Sequence, residues 1–463
     1  MMNDLNALLM KPCATDDALH AWVRLFVGLD VPRVAVCPTH QPPFEYLRRS
    51  YFEPTRDVVV WAPRGGGKTR LAAVATLLDL LHKPGASVRI LGGSLEQSMK
   101  MWDYLLPDLH RLAKRQLVQT QGKQLKLAGG GTAAVLTQSQ KAVRGMRVQK
   151  LRCDEVELFD PDVWEAAQLT TRSLDTKAGR VSGAVEALST FHAVGGLMET
   201  LTDAAGEHGC VRWCLLDVLE RCPPERECRT CPLLTECHGV AKDARGFVPI
   251  DDAVQMKARV SAETWESEML CRRPSVRGRV FPSFDEAVHV TDEEVVGETQ
   301  WSIDFGFAAP FVCLSIVESA GAVTVVDEYA VAGRTLDEHL DACLTRGRPV
   351  RVTCDPAGAA RSGQTALSDV QVLRRRGLKV SHRPSRIADG LEAIRRSLRA
   401  ADGRVSLKVH RRCTRLIRSL RAYRYPDGGG EIPLKDGEHD HAVDALRYWF
   451  VNQSAGKVTG RRY

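Results

Sequence analysis

Short apolar runs alternate with helix-like segments in the N-terminal part of the chain. Residues 58–60 are three valines, a glycine-rich stretch follows them, and residues 71–81 are rich in alanine and leucine. Residues 185–188 have the pattern of another buried strand, which ends in Ser189 and Thr190. Strand patterns that alternate with helical ones in this way predict an α/β domain with a parallel sheet.

The pattern changes after an acidic, loop-like stretch that ends near residue 298. Three apolar segments with tight turns between them follow, at residues 301–306, 311–318 and 322–330. Their short connections predict an antiparallel opening. A helical pattern at residues 336–345 leads to a buried-type strand at 350–355, and a helix over residues 440–448 comes later. A second α/β domain is therefore predicted.

Length and composition agree with two or three globular domains. The chain has 463 residues, 44% of them hydrophobic and 26% charged, and a domain usually contains roughly 100–200 residues. We find no run of about 18 apolar residues and no signal-like N-terminal segment, so we expect a protein that stays in the cytoplasm. The 14 cysteines are scattered through this chain, which favours reduced thiols over disulfides.

Positive charge is concentrated in one C-terminal stretch. The formal net charge of +7 is only a weak indication of a polyanionic partner. Residues 374–421 are rich in arginine and include Arg374, Arg375, Arg376, Arg395, Arg396, Arg411 and Arg412. This stretch is either a solvated helix face or a track for a nucleic acid.

The glycine-rich stretch has the strand before it and the helix after it that a phosphate-binding loop requires. Its central residues are Gly65, Gly66, Gly67, Lys68 and Thr69. Glycines let backbone N–H groups point at phosphate oxygens, and the helix adds the positive end of its dipole. We expect Lys68 to contact the β- and γ-phosphates of ATP and Thr69 to bind Mg²⁺. Ala62 replaces the usual first glycine of the pattern.

A loop of this kind also needs an acidic pair at the end of a strand. Asp154 and Glu155 supply it, the aspartate for Mg²⁺ and the glutamate to polarise the attacking water. The preceding residues 148–153 are more polar than a buried central strand usually is. Ser189 and Thr190, at the end of the later strand, are small hydroxyl residues suited to sensing a γ-phosphate.

Six cysteines crowd between residues 210 and 238, and four of them, Cys222, Cys228, Cys231 and Cys237, follow the pattern C-x5-C-x2-C-x5-C. This spacing fits a tetrahedral Zn²⁺ ion and an iron–sulfur cluster equally well. Prolines in the segment favour a rigid loop. We expect a metal that staples a small lid to the first domain, with unliganded buried thiols as the alternative.

Acidic residues recur at strand ends in the second domain. Asp304 lies on its first strand, Asp355 at the tip of its fourth, and Asp440, His441 and Asp444 on the late helix. Three antiparallel strands, a crossover and acids at these places are the layout of a ribonuclease-H-like fold. Converging carboxylates there hold two Mg²⁺ or Mn²⁺ ions about 4 Å apart for phosphodiester cleavage. We rank Asp304 and Asp355 first as ligands, then Asp444, His441 and Asp440.

Several motifs together resemble the large terminase subunit of tailed bacteriophages. Arg64 stands four residues before Lys68, as the arginine of the terminase loop does, and residues 188–190 resemble the coupling motif of that family. Arg144, in an arginine-glycine element before the acidic pair, resembles another family motif. The resemblance implies that Gln41 reads adenine and that Arg144 or Arg64 is an arginine finger. It extends from about residue 41 to residue 450.

The resemblance implies an α/β chain with a P-loop ATPase domain of the ASCE type, a small cysteine-rich lid or insert, and a ribonuclease-H-like nuclease domain. The expected segments are an N-terminal lid on the adenine side (1–50), the ATPase core (51–200), a lid or linker with the cysteines (201–275), a linker (276–298), the nuclease (299–453) and a flexible tail (454–463).

It also implies a function, in which ATP hydrolysis drives double-stranded DNA into a procapsid and a two-metal endonuclease cuts the concatemeric genome at initiation and termination. The implied partners are DNA, the portal protein and the small terminase subunit. We expect a monomer in solution and a homo-oligomeric ring, a pentamer, on the portal. The expected location is the host cytoplasm, with no membrane association and no presence in the mature virion.

Two other functions fit part of the pattern. A helicase-nuclease of DNA repair or defence also joins a motor to a nuclease, although such helicases usually have a second motor domain. A non-enzymatic, metal-stapled DNA-binding adaptor is disfavoured because the lysine, threonine and acidic residues of both sites are chemically intact.

Overall fold

The computed structural model describes residues 2–54, 57–137, 147–176, 179–191, 196–273, 278–361, 367–426 and 432–453. The chain divides into two compact units, Met1–Gln255 with Glu266–Arg273, and Met256–Trp265 with Pro274–Tyr463. Among the described residues, no helix is both long enough and apolar enough to cross a membrane. The finer division into lid, core and linker segments stays a prediction.

The first unit is built on an eight-stranded sheet whose order is β10-β1-β9-β6-β2-β5-β4-β3. Its strands are β1 (Val58–Trp61), β2 (Ser87–Gly92), β3 (Leu117–Gln121), β4 (Gln124–Leu127), β5 (Thr132–Val135), β6 (Lys150–Asp154), β9 (Ala184–Ser189) and β10 (Cys210–Arg212), and a separate hairpin comprises β7 (Leu174–Thr176) and β8 (Gly179–Val181). The strands from β10 to β5 pair in parallel, whereas the pairs β5–β4 and β4–β3 are antiparallel. This confirms the parallel sheet predicted from the alternating pattern.

Strand β9 lies between β1 and β6 and pairs with both. The end of the strand before the glycine-rich loop and the end of the acidic strand are therefore separated by one strand, which ends at Ser189. Because parallel strands present their carboxyl ends at one edge of a sheet, the loop, the acidic pair and Ser189 all reach the same edge.

The polar strand β6 is fully buried along its length. Arg152 has 0% of its surface exposed and donates hydrogen bonds to Asp79 and Glu186. Lys150, which is 1% exposed, forms an ion pair with Glu53 at 2.9 Å. Each buried cation thus has carboxylate partners on other elements, which is the condition for placing charge in a central strand.

The first unit also contains a series of α-helices. They are Met2–Met10, Asp16–Trp22, Pro43–Phe52, Lys68–His82, Leu95–Ala113, Pro161–Gln168, Leu197–Gly209 and Leu234–Cys237, and Ile250–Arg259 continues into the second unit. Helix Leu197–Gly209 is interrupted at Gly206, where φ is 63°. Helix Lys68–His82, the P-loop helix, is buried from Leu71 to His82, as expected for its alanine- and leucine-rich sequence.

The second unit is built on a seven-stranded sheet in the order β11-β17-β14-β13-β12-β15-β16. Its strands are β11 (Val290–Thr291), β12 (Thr299–Asp304), β13 (Phe311–Ser319), β14 (Ala322–Val331), β15 (Arg351–Cys354), β16 (Val380–Ser381) and β17 (Leu407–His410). Strands β12, β13 and β14 form the antiparallel opening, and β15 pairs in parallel with β12. This is the ribonuclease-H-like arrangement that the acids and strands predicted.

Two apolar cores pack on this sheet. One core joins β13, β14 and β17 to helix Asp440–Gln453 and includes Leu314, Ile394 and Trp449. The other includes Phe311, Leu340 and Val352. The α-helices of the unit are Ala262–Thr264, Glu286–His289, Leu336–Leu344, Asp369–Arg375, Ile387–Leu398, Thr414–Ala422 and Asp440–Gln453, the last called the C-terminal helix below.

Candidate nucleotide and metal sites

The loop between β1 and the P-loop helix depends on its glycines. Gly65 and Gly67 have φ values of 73° and 85°, where any other residue is strained. A Cβ at Gly66 would lie 2.5 Å from the Pro63 ring. Ala62 is fully buried and is not among the described residues with positive φ, so alanine stands there without strain.

The acidic pair lies directly beside this loop. The Thr69 hydroxyl donates to Asp154 Oδ2 at 2.7 Å, and Lys68 Nζ is 2.9 Å from Glu155 Oε1. Ser189 at the end of β9 donates to Glu155 Oε2 at 3.3 Å. The structure therefore brings together five residues from three distant segments, which the motifs had predicted as one site.

Asp154 has the properties of a cation ligand. It is 2% exposed, and no hydrogen-bond partner for its Oδ1 is found in the described part of the chain. Burial raises its pKa to about 6. A divalent cation would compensate the cost of burying this carboxylate, and the neighbouring Thr69 hydroxyl is a suitable co-ligand for Mg²⁺.

Residues far along the chain brace the loop, and the sequence motifs did not indicate them. Trp213 Nε1 donates to the Gly66 carbonyl at 3.0 Å, and the Arg64 side chain pairs with Glu268 at 3.0 Å. The Phe247 ring is 3.2 Å from the position of a Cβ on Gly67. These three contacts come from residues in or after the cysteine-rich segment, and they hold the loop in place.

The two remaining nucleotide-site candidates have different outcomes. The backbone N–H of Gln41 donates to the carbonyl of Arg212, the last residue of the edge strand β10, at 2.8 Å. Its side-chain Oε1 is buried, and the described residues offer it no hydrogen-bond partner. Arg144 lies outside the described residues, so its role as an arginine finger stays a prediction.

In the second unit, Asp304 ends β12 and Asp355 directly follows β15, the parallel neighbour of β12. The C-terminal helix packs across these strands, and Ser302 Oγ donates to its Ala445 carbonyl at 2.5 Å. This places three buried carboxylates on facing elements, since Asp304, Asp440 and Asp444 are 6%, 4% and 8% exposed.

His441 lies among these acids. Its Nδ1 is 2.8 Å from Asp304 Oδ2, and its Nε2 is 3.8 Å from Asp440 Oδ1. Asp444 accepts a hydrogen bond from Arg447 Nε at 2.9 Å. Asp440 Oδ1 is buried and has no hydrogen-bond partner within the described ranges. The site therefore contains more buried negative charge than its local cations neutralise.

The electrostatics of the site agree with cation binding. Burial raises the pKa of Asp304 to about 6, and the hydrogen bond to Asp304 raises the pKa of His441. Divalent cations are the usual partners of such converging carboxylates.

Asp355 lies at the predicted strand end and also caps the turn that follows it. Its side chain accepts the backbone N–H of Ala357 at 2.9 Å and caps the short 3₁₀ turn Pro356–Ala359. It also contributes to the electrostatics of Asp304. Asp369 was missed by sequence reasoning. Burial raises the pKa of Asp369, and the nearby charge of Asp355 raises it further. Asp369 is therefore a further acid close to Asp355.

Several solved structures resemble this whole arrangement. The large terminase of a thermophilic bacteriophage matches with a TM-score of 0.51 and 14% identity over 86% of this chain and 94% of the other. The ADP complex of the same terminase matches with a TM-score of 0.50 and 15% identity, over 88% and 97% of the two chains. Its ATP-γ-S complex gives 0.50 and 14%, over 85% and 93%.

This chain has the fold of a phage large terminase. The match extends over both units, so the resemblance inferred from the motifs is confirmed at the level of the fold. No protein-family model and no curated protein matches the sequence.

Within this terminase fold, the cysteine loop surrounds a small cavity. Cys222, Cys228, Cys231 and Cys237 all line a space of about 20 Å³. The short helices Cys228–Thr230 and Leu234–Cys237 interrupt the predicted loop. The four sulfurs line the cavity but are not all within 4.8 Å of one another, so a shared metal stays a prediction.

Several arginines of the 374–421 stretch are paired within the second unit of the terminase fold. Arg376 contacts Asp341 at 2.6 Å, Arg411 contacts Asp292 at 2.7 Å, and Arg412 contacts Glu294. Arg374 and Arg375 are exposed at the end of helix Asp369–Arg375. Much of the positive charge is therefore balanced locally, which favours the solvated-face interpretation for those three arginines.

Proposed function

We propose that this chain is a DNA-packaging motor, in which ATP hydrolysis by the first unit drives double-stranded DNA into a procapsid and the second unit cuts the concatemeric genome at initiation and termination. The observation that carries the proposal is the presence, in one chain, of a complete phosphate-loop site and a ribonuclease-H-like site with three buried carboxylates. A P-loop alone is common to many ATPases.

In the ATPase site, Gly65 and Gly67 would present backbone N–H groups to the phosphates, and Lys68 would neutralise the β- and γ-phosphates. The Gly66 N–H donates to the Pro63 carbonyl at 3.0 Å and so shapes the loop. Thr69 and Asp154 are the residues that would hold Mg²⁺. Glu155 would orient and polarise the attacking water once the phosphates replace it as the partner of Lys68. Arg64 or Arg144 would stabilise the charge of the transition state, and Gln41 would contact adenine.

In the nuclease site, Asp304, Asp355, Asp440 and Asp444 would hold two Mg²⁺ or Mn²⁺ ions. Such a pair activates water and stabilises the leaving oxygen of a phosphodiester. His441 orients Asp304 through their hydrogen bond, and Arg447 fixes one oxygen of Asp444. Contacts to DNA would be mainly to phosphates, so binding should be largely independent of sequence and should weaken steeply with salt.

We further propose that the cysteine loop binds a single Zn²⁺ ion. The C-x2-C core of the loop fits the tetrahedral coordination that Zn²⁺ takes with four thiolates, and all four cysteines line one cavity. Purified protein without absorbance near 400 nm and with zinc that is lost in Cys228→Ser would support this assignment. A brown protein containing iron would overturn it.

The partners and location follow from the same proposal. They are the portal protein, the small terminase subunit and a docked homo-oligomeric ring, a pentamer, assembled from monomers in the host cytoplasm. Analytical ultracentrifugation of the chain alone and with portal tests the change in assembly.

The ATPase assignment is tested by DNA-stimulated phosphate release. Lys68→Ala should reduce turnover at least 100-fold because it removes the charge that stabilises the phosphates. Lys126→Ala, an exposed lysine of the same unit, should retain wild-type turnover. Full activity of Lys68→Ala would refute the motor. Unwinding of a forked duplex by the wild type would instead favour a helicase-nuclease.

The nuclease assignment is tested by plasmid cleavage with Mn²⁺. Asp304→Asn should abolish cutting and leave the ATPase intact, because the two sites use separate residues. Asp341→Asn removes an exposed carboxylate of the same unit and is the matched control. If Asp304→Asn cuts at the wild-type rate, the acids described above are not the nuclease.

A further inference from the structure

Two thiols, an imidazole and a carboxylate converge in the first unit, apart from both sites described above. Cys37 and His40 belong to the segment before helix Pro43–Phe52, whereas Cys214 and Asp217 follow the edge strand β10. One ligand atom from each residue lies within 4.8 Å of those of the other three. About 177 residues separate the two pairs in sequence.

We propose that Cys37, His40, Cys214 and Asp217 form a structural Zn²⁺ site that fastens the segment before Gln41 to the turn after β10. It is independent of the proposed function, because it concerns only the folded first unit. Zinc binds sulfur, nitrogen and oxygen atoms of cysteine, histidine and aspartate, and in structural sites it is usually four-coordinate.

The distances fit a tetrahedral ion. Zn–S bonds of about 2.3 Å in a tetrahedron place two sulfurs about 3.8 Å apart, and Cys37 Sγ is 3.6 Å from Cys214 Sγ. His40 Nδ1 is 2.6 Å from Asp217 Oδ2. Two Zn–N/O bonds of about 2.05 Å need about 3.3 Å between these atoms, so they would separate by about 0.7 Å on binding.

The surroundings hold the donor atoms in place. Asp217 Oδ1 accepts the backbone N–H groups of Val36 and Cys37 at 2.9 and 3.0 Å, and Oδ2 accepts that of Cys214 at 2.9 Å. The side chains of His40 and Asp217 are 5% and 0% exposed. One carboxylate therefore orders both segments.

Hydrogen bonding accounts for Asp217 but not for the paired thiols. Thiols are weak hydrogen-bond donors and acceptors, and their thiolate form binds Zn²⁺ strongly.

The position of the site gives it a structural consequence. Gln41 donates to the Arg212 carbonyl, and Trp213, adjacent to Cys214, braces Gly66 of the phosphate loop. A metal here would fix both contacts. Its removal should loosen the loop and the segment that carries Gln41.

The test is zinc content of the full-length protein by elemental analysis. Cys37→Ser and Cys214→Ser should each lose one zinc equivalent per chain. Cys13→Ser removes a half-buried thiol of the same unit that is outside the cluster and should lose none. Cys228→Ser, assayed in parallel, separates this site from the cysteine loop. Unchanged zinc in the folded Cys37→Ser variant overturns the proposal.

A second measurement uses the wild type, in case the variants do not fold. Cys37 is half-buried, so its alkylation can be followed by mass spectrometry before and after treatment with a chelator. We expect protection that chelation removes. Equal alkylation under both conditions, or a Cys37–Cys214 disulfide in nonreduced peptides, would overturn the zinc site.

Discussion

Replacing Arg152 by methionine should strongly destabilise the first unit. The guanidinium is fully buried and donates to Asp79 at 2.6 Å and to Glu186 at 3.0 and 3.1 Å. Methionine fills a similar volume but leaves two buried carboxylates without this partner. Removing one member of a buried ion pair typically costs about 3–5 kcal/mol.

Neighbouring groups reduce the cost to the lower end of that range. Lys83 remains 2.8 Å from Asp79, and Tyr46 and Ser50 still donate to Glu186 at 2.6 and 2.8 Å. We therefore expect about 3 kcal/mol. In a unit of this size, each kcal/mol lowers the melting temperature by roughly 2–4 °C, so Arg152→Met should melt about 6–12 °C below the wild type.

Scanning calorimetry of the full chain measures this difference. Arg115→Met, at an exposed position of the same unit, is the control and should change the midpoint by less than about 2 °C. The double variant Arg152→Met with Glu186→Gln should recover part of the loss, because it removes one uncompensated charge. If Arg152→Met melts with the control, the buried ion network does not stabilise the unit as argued.

Three further predictions concern other parts of the chain. Burial raises the pKa of Asp304 from 3.8 to about 6, so the stability that its neutral form contributes is complete below about pH 4 and is lost as pH rises through about 6. Mn²⁺ should consequently raise the melting temperature more at pH 7.5 than at pH 5. An equal rise at the two pH values would contradict this. Glu328 accepts hydrogen bonds from backbone N–H groups in the first turn of helix Thr414–Ala422, from Arg415 at 2.7 Å and Leu416 at 2.9 Å. Glu328→Ala should therefore lower the free energy of unfolding in urea by about 1–2 kcal/mol. An unchanged urea midpoint would show that Glu328 does not stabilise the helix end. Gly67→Ala places a side chain on a residue whose φ is 85°, which should lower the stability of the loop by about 1–2 kcal/mol. It should also weaken ATP binding in calorimetric titrations. Wild-type affinity would show that the loop tolerates alanine.

Local patterns predicted the parts of the fold that are local in sequence. The strand, glycine loop and helix around Lys68 lie within one short segment, and the acids of the second unit occupy strand ends and one helix face. Their order was enough to predict the ribonuclease-H-like sheet. It also predicted that Asp440 and Asp444 share a helix with His441.

Pairings between distant segments could not be predicted in the same way. The polar residues of β6 argued against a central strand because their partners, such as Asp79 and Glu186, are visible only after folding. Trp213, Phe247 and Glu268 reach the phosphate loop from far along the chain, and no motif marks them. For Cys37 and Cys214 there was a faint signal, since each precedes by three residues a second ligand type, His40 or Asp217.

The position of β1 between β9 and β10 has a consequence for synthesis of the protein. Trp61 pairs with Ser189 and Arg212, so both neighbours of the phosphate-loop strand emerge from the ribosome long after it. At about 5–20 residues per second, the delay until Arg212 is synthesised is roughly 8–30 s. Asp304 likewise is synthesised long before the C-terminal helix, whose His441 contacts it. A nascent or prematurely terminated chain thus lacks the complete set of acids, and the proposed nuclease site cannot assemble until the C-terminal helix has been synthesised.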